Sequence, residues 1–348
     1  MTTITQPARE AIGRPDRVRF PLWNPMTAMD GFSPGDRVVS SADGVRVRDE
    51  AGHVCLDGFS GLWNVSFGYS NEHIIAAIKA QLDVLPYATL FGGRTNRPAI
   101  ELAGRLAAAS PIPDGRVFFT TSGGAGIDTA LKVALRAQRL TGHPERNTVV
   151  AFARGYHGTS YGSMFVTGDD LEQGEYGAGD GWVRHVTHHD APGLARLASE
   201  LGDRLAAIVV EPVLGTGAFA LDPAMVEALH QTGATTGAYL IADEVTTGFG
   251  RTGTLFACEQ MGLRPDLMVL SKALTGGYLP LAATICSGAI CDVFDAAKVR
   301  FGHGETQSGN PIACAAALAA LDVVTGPGFL QRVGELSARL RARLDELA

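Results

Sequence analysis

Cysteines are few in this sequence and are not arranged as a metal or redox site. The five cysteines include no C-x-x-C pair, and their odd number is not typical of a disulfide framework. We therefore predict reduced, buried cysteines in a cytoplasmic protein. They are Cys55, Cys258, Cys286, Cys291 and Cys314.

Long apolar runs are also missing. No stretch approaches the ~18 consecutive apolar residues of a membrane-spanning helix, and residues 1–19 lack the apolar segment of a signal peptide. We predict neither secretion nor a membrane span. Disorder is excluded as the general state, because 46% of the 348 residues are hydrophobic and can form a large core.

Basic residues are outnumbered by acidic ones, with 29 Lys and Arg against 36 Asp and Glu and a formal net charge of -7. This balance argues against a protein that coats nucleic acid and favours small-molecule partners. Lysine is especially scarce, and only Lys79, Lys132, Lys272 and Lys298 are present. A lysine at an unusual position is therefore easy to recognise.

The order of apolar segments predicts an α/β protein. Residues 37–39, 45–48 and 53–56 are typical of short antiparallel strands separated by glycine-containing turns. From about residue 72, amphipathic helices such as 127–140 and 223–235 alternate with apolar strands, which indicates a mostly parallel sheet between helices. The strands of this sheet are predicted at 116–119, 148–152, 205–210, 238–242, 267–270 and 281–286.

A glycine-rich loop follows the first strand of the larger sheet. Residues 120–126 read TTSGGAG and lead into a helix, so free backbone N–H groups and the positive helix end face one point. This pattern predicts a phosphate cradle, although a structural turn has the same signature. A dinucleotide-binding fingerprint fits less well, because its third glycine falls on Thr129 and its acidic ribose ligand on Arg154.

Two ionisable residues follow other predicted strands. Asp243 comes after 238–242 and Lys272 after 267–270, so both are expected at the edge where open α/β sheets bind ligands. Burying an ammonium is costly unless it is paired or neutral, and the neutral amine is the form that makes a Schiff base. Asp243 taken alone is equally suited to capping a helix.

Together these features fit pyridoxal phosphate. The cradle would hold the phosphate, Asp243 would keep the pyridine nitrogen protonated, and Lys272 would form the Schiff base. Tyr156, in a Gly-Tyr-His-Gly segment after another strand, supplies a ring that can stack on the cofactor or serve as ordinary core. The combination is far more specific than any single member.

On these residues the sequence resembles the class III, or ω-type, pyridoxal-phosphate aminotransferases of fold type I. The strongest blocks are IADEVTTGFGRTG at 241–253, PDLMVLSKALTGGYLP at 265–280 and FGHGETQSGNP at 301–311. Within the class, residues 22–27 and 91–102 are most similar to diaminopelargonate and amine:pyruvate aminotransferases. The resemblance implies ping-pong transfer of an amino group from an amine or amino acid to a keto acid, aldehyde or ketone. Biotin-type or natural-product biosynthesis, including peptide modification, is the implied setting.

The resemblance also assigns roles to individual residues. Lys272 would be the catalytic lysine, and Trp23 and Trp63 would line the substrate pocket. Thr306 would reach the cofactor of the neighbouring subunit, which implies a homodimer. The cofactor-binding residues would be Ser122, Gly123, Gly124, Tyr156, Glu211, Asp243, Val245, Lys272 and Thr306.

The same resemblance implies a division into domains. Residues 1–65 would form the first part of a small α/β domain, and residues 66–324 the large cofactor-binding domain. Residues 325–348 would form a helix leading into a C-terminal part of the small domain that is truncated or missing here. Family members often carry a carboxylate-binding arginine in that missing part.

Several positions depart from the family pattern. Ala125 follows the cradle where an acidic residue is usual, and Thr246 replaces a glutamine often found after Asp-Glu-Val. Thr216 replaces the acidic residue of ornithine-type and aminobutyrate-type members, which argues against their substrates. Leu62 and Trp63 stand where diaminopelargonate enzymes usually have two aromatic residues.

Three other functions are compatible with parts of the pattern. An aminomutase or decarboxylase of the same fold would use the same residues, and a catalytically inactive binding or assembly subunit would keep only cofactor binding. A nicotinamide-dependent oxidoreductase would use the glycine loop but leaves Lys272 and Asp243 unexplained. The aminotransferase class accounts for most of the observations.

A histidine-rich segment is the one metal-like pattern. His185, His188, His189 and Asp190 are close in sequence, but no second ligand pair completes a site. We predict no metal, and we expect Asp190 to precede a helix as a cap. His157 is expected to support neighbouring site residues and not to act as a base.

Overall fold

The computed structural model describes residues 20–30, 32–33, 35–177 and 181–347. Contacts divide the chain into two compact units, one ending at Gly58 and the other beginning at Phe59. The prediction that residues 1–19 carry no signal peptide lies outside the described residues. The domain boundaries expected near residues 65 and 324 stay predictions.

The first unit contains a small antiparallel sheet of β1 (Val39–Asp43), β2 (Arg46–Asp49) and β3 (Val54–Leu56), paired in that order. Strand β1 begins later than predicted, because Gly35–Arg37 forms a short 3-10 helix before it. The prediction of burial is wrong for Cys55, which is exposed because all residues of β3 face solvent.

The second unit alternates helices and strands, as the sequence predicts. Its helices are α1 (Glu72–Val84), α2 (Arg97–Ala109), α3 (Gly123–Leu140), α4 (Tyr161–Val166), α5 (Ala191–Leu201), α6 (Pro223–Thr236), α7 (Ala257–Met261), α8 (Gly288–Ala297), α9 (Pro311–Thr325) and α10 (Phe329–Asp345). Its strands are β4 (Arg116–Thr120), β5 (Thr148–Phe152), β6 (Val183–Val186), β7 (Leu205–Val210), β8 (Val213–Leu214), β9 (Phe219–Ala220), β10 (Tyr239–Asp243), β11 (Leu267–Leu270) and β12 (Ala282–Cys286).

The larger sheet has the strand order β4-β12-β11-β10-β7-β5-β6 within the described chain. Its described pairs are parallel except those of β12, which runs antiparallel to both β4 and β11. Strand β6 was not predicted, because it is an edge strand in which Arg184 and His185 interrupt the apolar pattern. The carboxyl ends of β4, β5, β7, β10 and β11 meet at one edge of the sheet.

Alternate residues of the central strands pack against helices on opposite faces of the sheet. In β5, Val149 and Ala151 pack in a cluster that includes Ile127 of α3, whereas Val150 and Phe152 belong to the cluster on the other face. Helices α2, α5, α6 and α9 supply buried side chains to that second cluster. Burial on both faces explains the continuous apolar runs of these strands.

The two final helices differ in burial. Helix α9 places Cys314, Ala317 and Leu321 in the core, whereas α10 has no buried residue and leaves Leu336 and Leu340 exposed. No single helix in the described chain is long and apolar enough to span a membrane. By length and composition alone, α9 and α10 together would be sufficient for a membrane span, but the chain bends by 65° between them.

Candidate active site

Five strands that run in the same direction bring predicted site residues to one edge of the larger sheet. Ser122 follows β4, Tyr156 follows β5, Glu211 follows β7, Asp243 ends β10 and Lys272 follows β11. The carboxyl ends of the strands are where open α/β sheets bind ligands. The contacts described next connect these residues into one site.

The loop after β4 has the geometry of an anion cradle. Ser122 caps α3 with its side chain, and the first N–H groups of the helix have no acceptor within the helix. A Cβ atom on Gly123 would lie 3.1 Å from Val245 Cγ1, and one on Gly158 would lie 2.8 Å from Gly124 Cα. Glycine is therefore required at position 158, where φ is +111° and the added atom would meet backbone, whereas the space at Gly123 is only tight.

Asp243 is held by two groups at the end of β10. Its Oδ2 lies 2.7 Å from His157 Nδ1, and its Oδ1 accepts a hydrogen bond from Val245 N at 3.0 Å. Burial opposes protonation of His157, but the hydrogen bond and charge of Asp243 outweigh it and raise the His157 pKa. The contact with Asp243 therefore favours the protonated form of the His157 imidazole.

Glu211 joins the segment after β5 to the segment after β7. Its Oε1 accepts a hydrogen bond from Tyr156 N at 2.9 Å, and its Oε2 accepts one from Gly215 N at 3.0 Å. Burial, with a further contribution from the charge of Asp243, raises the Glu211 pKa to about 7. The carboxyl group therefore positions the Tyr156 backbone and titrates near neutral pH.

Lys272 is half-buried and lies between a hydroxyl group and an aromatic ring. Its Nζ donates a hydrogen bond to Thr246 Oγ1 at 2.7 Å and lies 5.4 Å from the centre of the Trp63 ring. Burial lowers the pKa of this amine, and the charges of Asp243 and Glu211 oppose that change only in part. The neutral form of the amine is therefore more populated here than on an exposed lysine.

Trp63 reaches the amine from a left-handed turn. Residues 60–63 all have positive φ angles, from 48° at Ser60 to 63° at Leu62. Three of the four are not glycine, and each such residue costs about 1–2 kcal/mol in this conformation. Arg251 secures the turn by donating to Trp63 O at 2.8 Å and to Ser66 Oγ at 2.9 Å.

Thr306 lies in a segment that is attached to the cradle of its own chain. Glu305 Oε2 accepts a hydrogen bond from Thr121 N at 2.7 Å, and Tyr87 Oη donates one to Thr306 O at 3.0 Å. The Thr306 side chain itself is exposed. Its predicted contact with a second subunit stays a prediction.

The structure brings most of the predicted residues together, although their roles stay predictions. Trp23 is different, because it lies in the first unit with a side chain that is 82% exposed. Sequence reasoning assigned no function to Thr246 or Arg251, both of which contact site residues. Their place in the IADEVTTGFGRTG block at 241–253, which carries the family resemblance, was the available signal.

The histidine-rich segment does not form a metal site in the described chain. Asp190 caps α5 by accepting a hydrogen bond from Gly193 N at 2.8 Å, as predicted, and His189 lies 3.3 Å from Asp222. No group of three or more His, Cys, Asp or Glu residues suited to a metal ion is found in the part of the chain that is described.

The arrangement defines a class of protein, an α/β enzyme scaffold with a lysine-bearing site for a phosphorylated carbonyl cofactor. Pyridoxal phosphate fits the residues present. The cradle is open to an anion, Asp243 and His157 form a buried pair at the same edge of the sheet, and burial lowers the pKa of the Lys272 amine.

Comparison with known proteins identifies the family. The family model for "Aminotransferase class-III" matches residues 32–348 of this chain. The chain belongs to this family. The chain is 39% identical to an adenosylmethionine-8-amino-7-oxononanoate aminotransferase from Nitratidesulfovibrio vulgaris, over 94% of this chain and 64% of that protein. It therefore spans somewhat less than two thirds of that relative.

Two further comparisons also identify aminotransferases as similar proteins. The chain is 33% identical to a beta-alanine–pyruvate aminotransferase from Pseudomonas aeruginosa, over 93% of this chain and 78% of the relative. An amine transaminase structure from an uncultivated Pseudomonas species, solved in a PLP-bound form, superposes with a TM-score of 0.87 at 30% identity, over 96% of this chain and 80% of that one.

These findings confirm the predicted fold type I architecture and the class III resemblance, including its similarity to diaminopelargonate and amine:pyruvate enzymes. The family and the PLP-bound neighbour also support pyridoxal phosphate as the cofactor. They do not favour the nicotinamide-dependent alternative.

Proposed function

We propose that this chain is a pyridoxal-phosphate-dependent aminotransferase. It would move an amino group from an amine or amino-acid donor to a keto acid, aldehyde or ketone by a ping-pong mechanism. The observation that carries the proposal is the half-buried Lys272 amine at the same sheet edge as the anion cradle and the Asp243–His157 pair. When bound, the cofactor supplies a carbonyl that takes up the amino group and a ring that accepts electrons.

Lys272 is the proton carrier in this proposal. Because burial lowers the pKa of its amine, Nζ can accept a proton near neutral pH and later return it. Thr246 Oγ1 and the Trp63 ring limit where Nζ can lie. Proton movement is thereby confined to one place in the site.

Asp243, His157 and Glu211 control charge at the base of the site. The His157 imidazole orients the Asp243 carboxyl group through the contact at 2.7 Å, and Asp243 would be the partner of a protonated ring nitrogen. Glu211 fixes the backbone of Tyr156, whose ring is 41% exposed and can stack on a cofactor. Gly123 and Gly124 would bind the phosphate through backbone N–H groups, with Ser122 as the cap and Val245 beside the loop.

The residues on the substrate side of the site favour a substrate with an apolar scaffold over a substrate with two charged groups. Trp63 supplies an aromatic wall, and Thr216 offers a hydroxyl that donates to Arg154 O at 2.6 Å instead of a carboxylate. Biotin-type or natural-product biosynthesis fits such a substrate and the names of the relatives. We also propose a cytoplasmic homodimer in which Thr306 reaches the cofactor of the neighbouring subunit, and we propose Trp23 as a residue of the substrate pocket.

The test is a visible absorbance spectrum of the protein reconstituted with pyridoxal phosphate, before and after an amine donor is added. We expect absorbance near ~400 nm that moves to shorter wavelength with the donor, and loss of this behaviour in Lys272→Ala. Lys79→Ala, which removes an exposed helix lysine, is the matched control and should behave as wild type. Absence of a cofactor signal in the wild type would refute the proposal.

A carbonyl acceptor separates transamination from the alternatives within the fold. Net appearance of the aminated acceptor supports an aminotransferase. A spectral response to the donor without amination of any of a series of keto acids, aldehydes and ketones would point to an aminomutase or decarboxylase.

A further inference from the structure

The hydrogen-bond partner of the Lys272 amine is a neutral hydroxyl group. Nζ donates to Thr246 Oγ1 at 2.7 Å, whereas Asp243 and Glu211 act on the amine through charge alone. A carboxylate at that distance would hold the amine as an ammonium ion. A hydroxyl group accepts a hydrogen bond from the ammonium ion and can donate one to the neutral amine, so it can hold Nζ in both protonation states.

The Thr246 hydroxyl is itself well placed by its surroundings. Thr246 follows Val245, whose backbone N–H is bound to Asp243 Oδ1, so the segment is anchored at the strand end. On its other flank, a Cβ atom added to Gly215 would lie 3.7 Å from Thr246 Oγ1. The branched side chain also restricts rotation about χ1. The hydroxyl group therefore occupies a defined position beside Nζ.

We propose that Thr246 is a positioning residue that holds Lys272 Nζ at its working position in both protonation states. This inference rests on the proposed function of Lys272 as proton carrier. It assigns the hydroxyl group no proton transfer of its own. Its effect is to prevent the freed amine from turning away from the site, a role in which valine, of similar shape, cannot replace threonine.

The first test measures the amine without the cofactor. The full chain, freed of cofactor, is labelled with a trace of acetic anhydride over a range of pH, and each lysine peptide is quantified by mass spectrometry. Because the chain has only four lysines, the exposed Lys79 serves as an internal reference. In Thr246→Val the labelling of Lys272 relative to Lys79 at neutral pH should rise about tenfold, since the hydroxyl group binds the charged ammonium form more strongly than the neutral amine, by ~1.4 kcal/mol.

The second test measures turnover of the reconstituted enzyme. Thr246→Val should lower kcat by about tenfold with little change in KM for the donor, because the amine is displaced while substrate binding is retained. Thr246→Ser should restore both labelling and kcat to near the wild-type values. General loss of structure would also expose Lys272 and slow turnover, so the pH dependence of the labelling decides between the two causes. Loss of the Thr246 contact should move half-maximal labelling of Lys272 to lower pH, whereas unfolding would move it up toward the ordinary range of an exposed lysine.

Thr247→Val is the matched control for stability. The Thr247 hydroxyl donates to Glu244 and not to Lys272, so this change should lower thermal stability without altering Lys272 labelling. Wild-type labelling and kcat in Thr246→Val would overturn the inference even if the protein transaminates. Failure of the wild type to bind the cofactor would overturn the proposed function, while the labelling result would still decide whether Thr246 holds the amine.

Discussion

His157 Nδ1 lies 2.7 Å from Asp243 Oδ2, and both side chains are buried at the end of β10. His157 Nε2 has no protein partner in the described chain, so the imidazole makes its hydrogen bond to this one carboxylate. The pair therefore links the segment after β5 to β10 beneath the site.

Replacing His157 by alanine should leave Asp243 buried without its cation. Breaking such a pair by removing one partner costs about 3–5 kcal/mol, so we expect the free energy of unfolding to fall by that amount. Urea unfolding measures the change. His157→Asn, which keeps a donor, should lose less, and equal losses in the two variants would contradict the assigned hydrogen bond.

Glu211 should make stability fall as pH rises toward neutrality. Its pKa in the folded chain is raised by burial from 4.5 to about 7, so folding favours the protonated form. The stability this provides is full below the unfolded pKa and is lost as pH rises through about 7. The melting temperature of wild type minus that of Glu211→Gln should therefore fall as the pH rises from 4.5 to about 7.

The Glu211→Gln variant should also be less stable than wild type at low pH. Glutamine has one acceptor oxygen, whereas Glu211 accepts separate hydrogen bonds from Tyr156 N and Gly215 N. Leaving one buried N–H unpaired costs about 1–3 kcal/mol. A pH-independent difference between the two proteins would show that Glu211 does not titrate in this range.

Gly158→Ala should damage the cradle. The added Cβ atom would lie 2.8 Å from Gly124 Cα, and φ at this position is +111°. Gly142, with φ of +89° and no atom within 4 Å of an added Cβ, is the matched control for the backbone cost alone. We expect Gly142→Ala to lose about 1–2 kcal/mol and Gly158→Ala about 1–3 kcal/mol more, with weaker cofactor binding. Equal losses would mean that the contact relaxes freely.

His303 should make the segment that carries Thr306 sensitive to acid. His303 Nε2 lies 2.9 Å from Thr129 Oγ1, and Lys132 Nζ lies 3.0 Å from His303 Nδ1. Burial, followed by the Lys132 charge, lowers the His303 pKa. The stabilisation is therefore full above the ordinary pKa of ~6.5 and is lost as pH falls below it.

Lys132→Met should reduce this acid sensitivity, because it removes the cation that faces the imidazole. The measurement is the melting temperature between pH 7 and pH 5, compared with wild type. The charges of Glu305 and Asp128 act on the imidazole in the opposite direction and raise the His303 pKa. A drop as large in the variant as in wild type would exclude the contact as its source.

The sequence predicts the strands of this fold well where both faces of a strand are buried. The central strands β5, β7 and β11 are continuous apolar runs and appear where expected, whereas the edge strand β6 carries an arginine and a histidine and was missed. Asp243 and Lys272 were found because ionisable residues at strand ends are conspicuous. Residue spacing alone does not reveal which groups they contact.

Two features of the site depend on geometry that sequence patterns do not encode. The left-handed turn at 60–63 contains Leu62 and Trp63, residue types that favour no such conformation, and Arg251 far along the chain secures it. The bond from Lys272 to Thr246 depends on side-chain rotamers. Neither was predicted.

The antiparallel strand β12 also determines when the site can assemble. It is the strand that joins β4 to β11, so it connects the glycine loop to the rest of the sheet. During synthesis β4 emerges long before β12, and pairings between such distant segments form slowly because a long loop must close first. The two halves of the cofactor site therefore become one structure only after residues 282–286 have left the ribosome, late in the production of the chain.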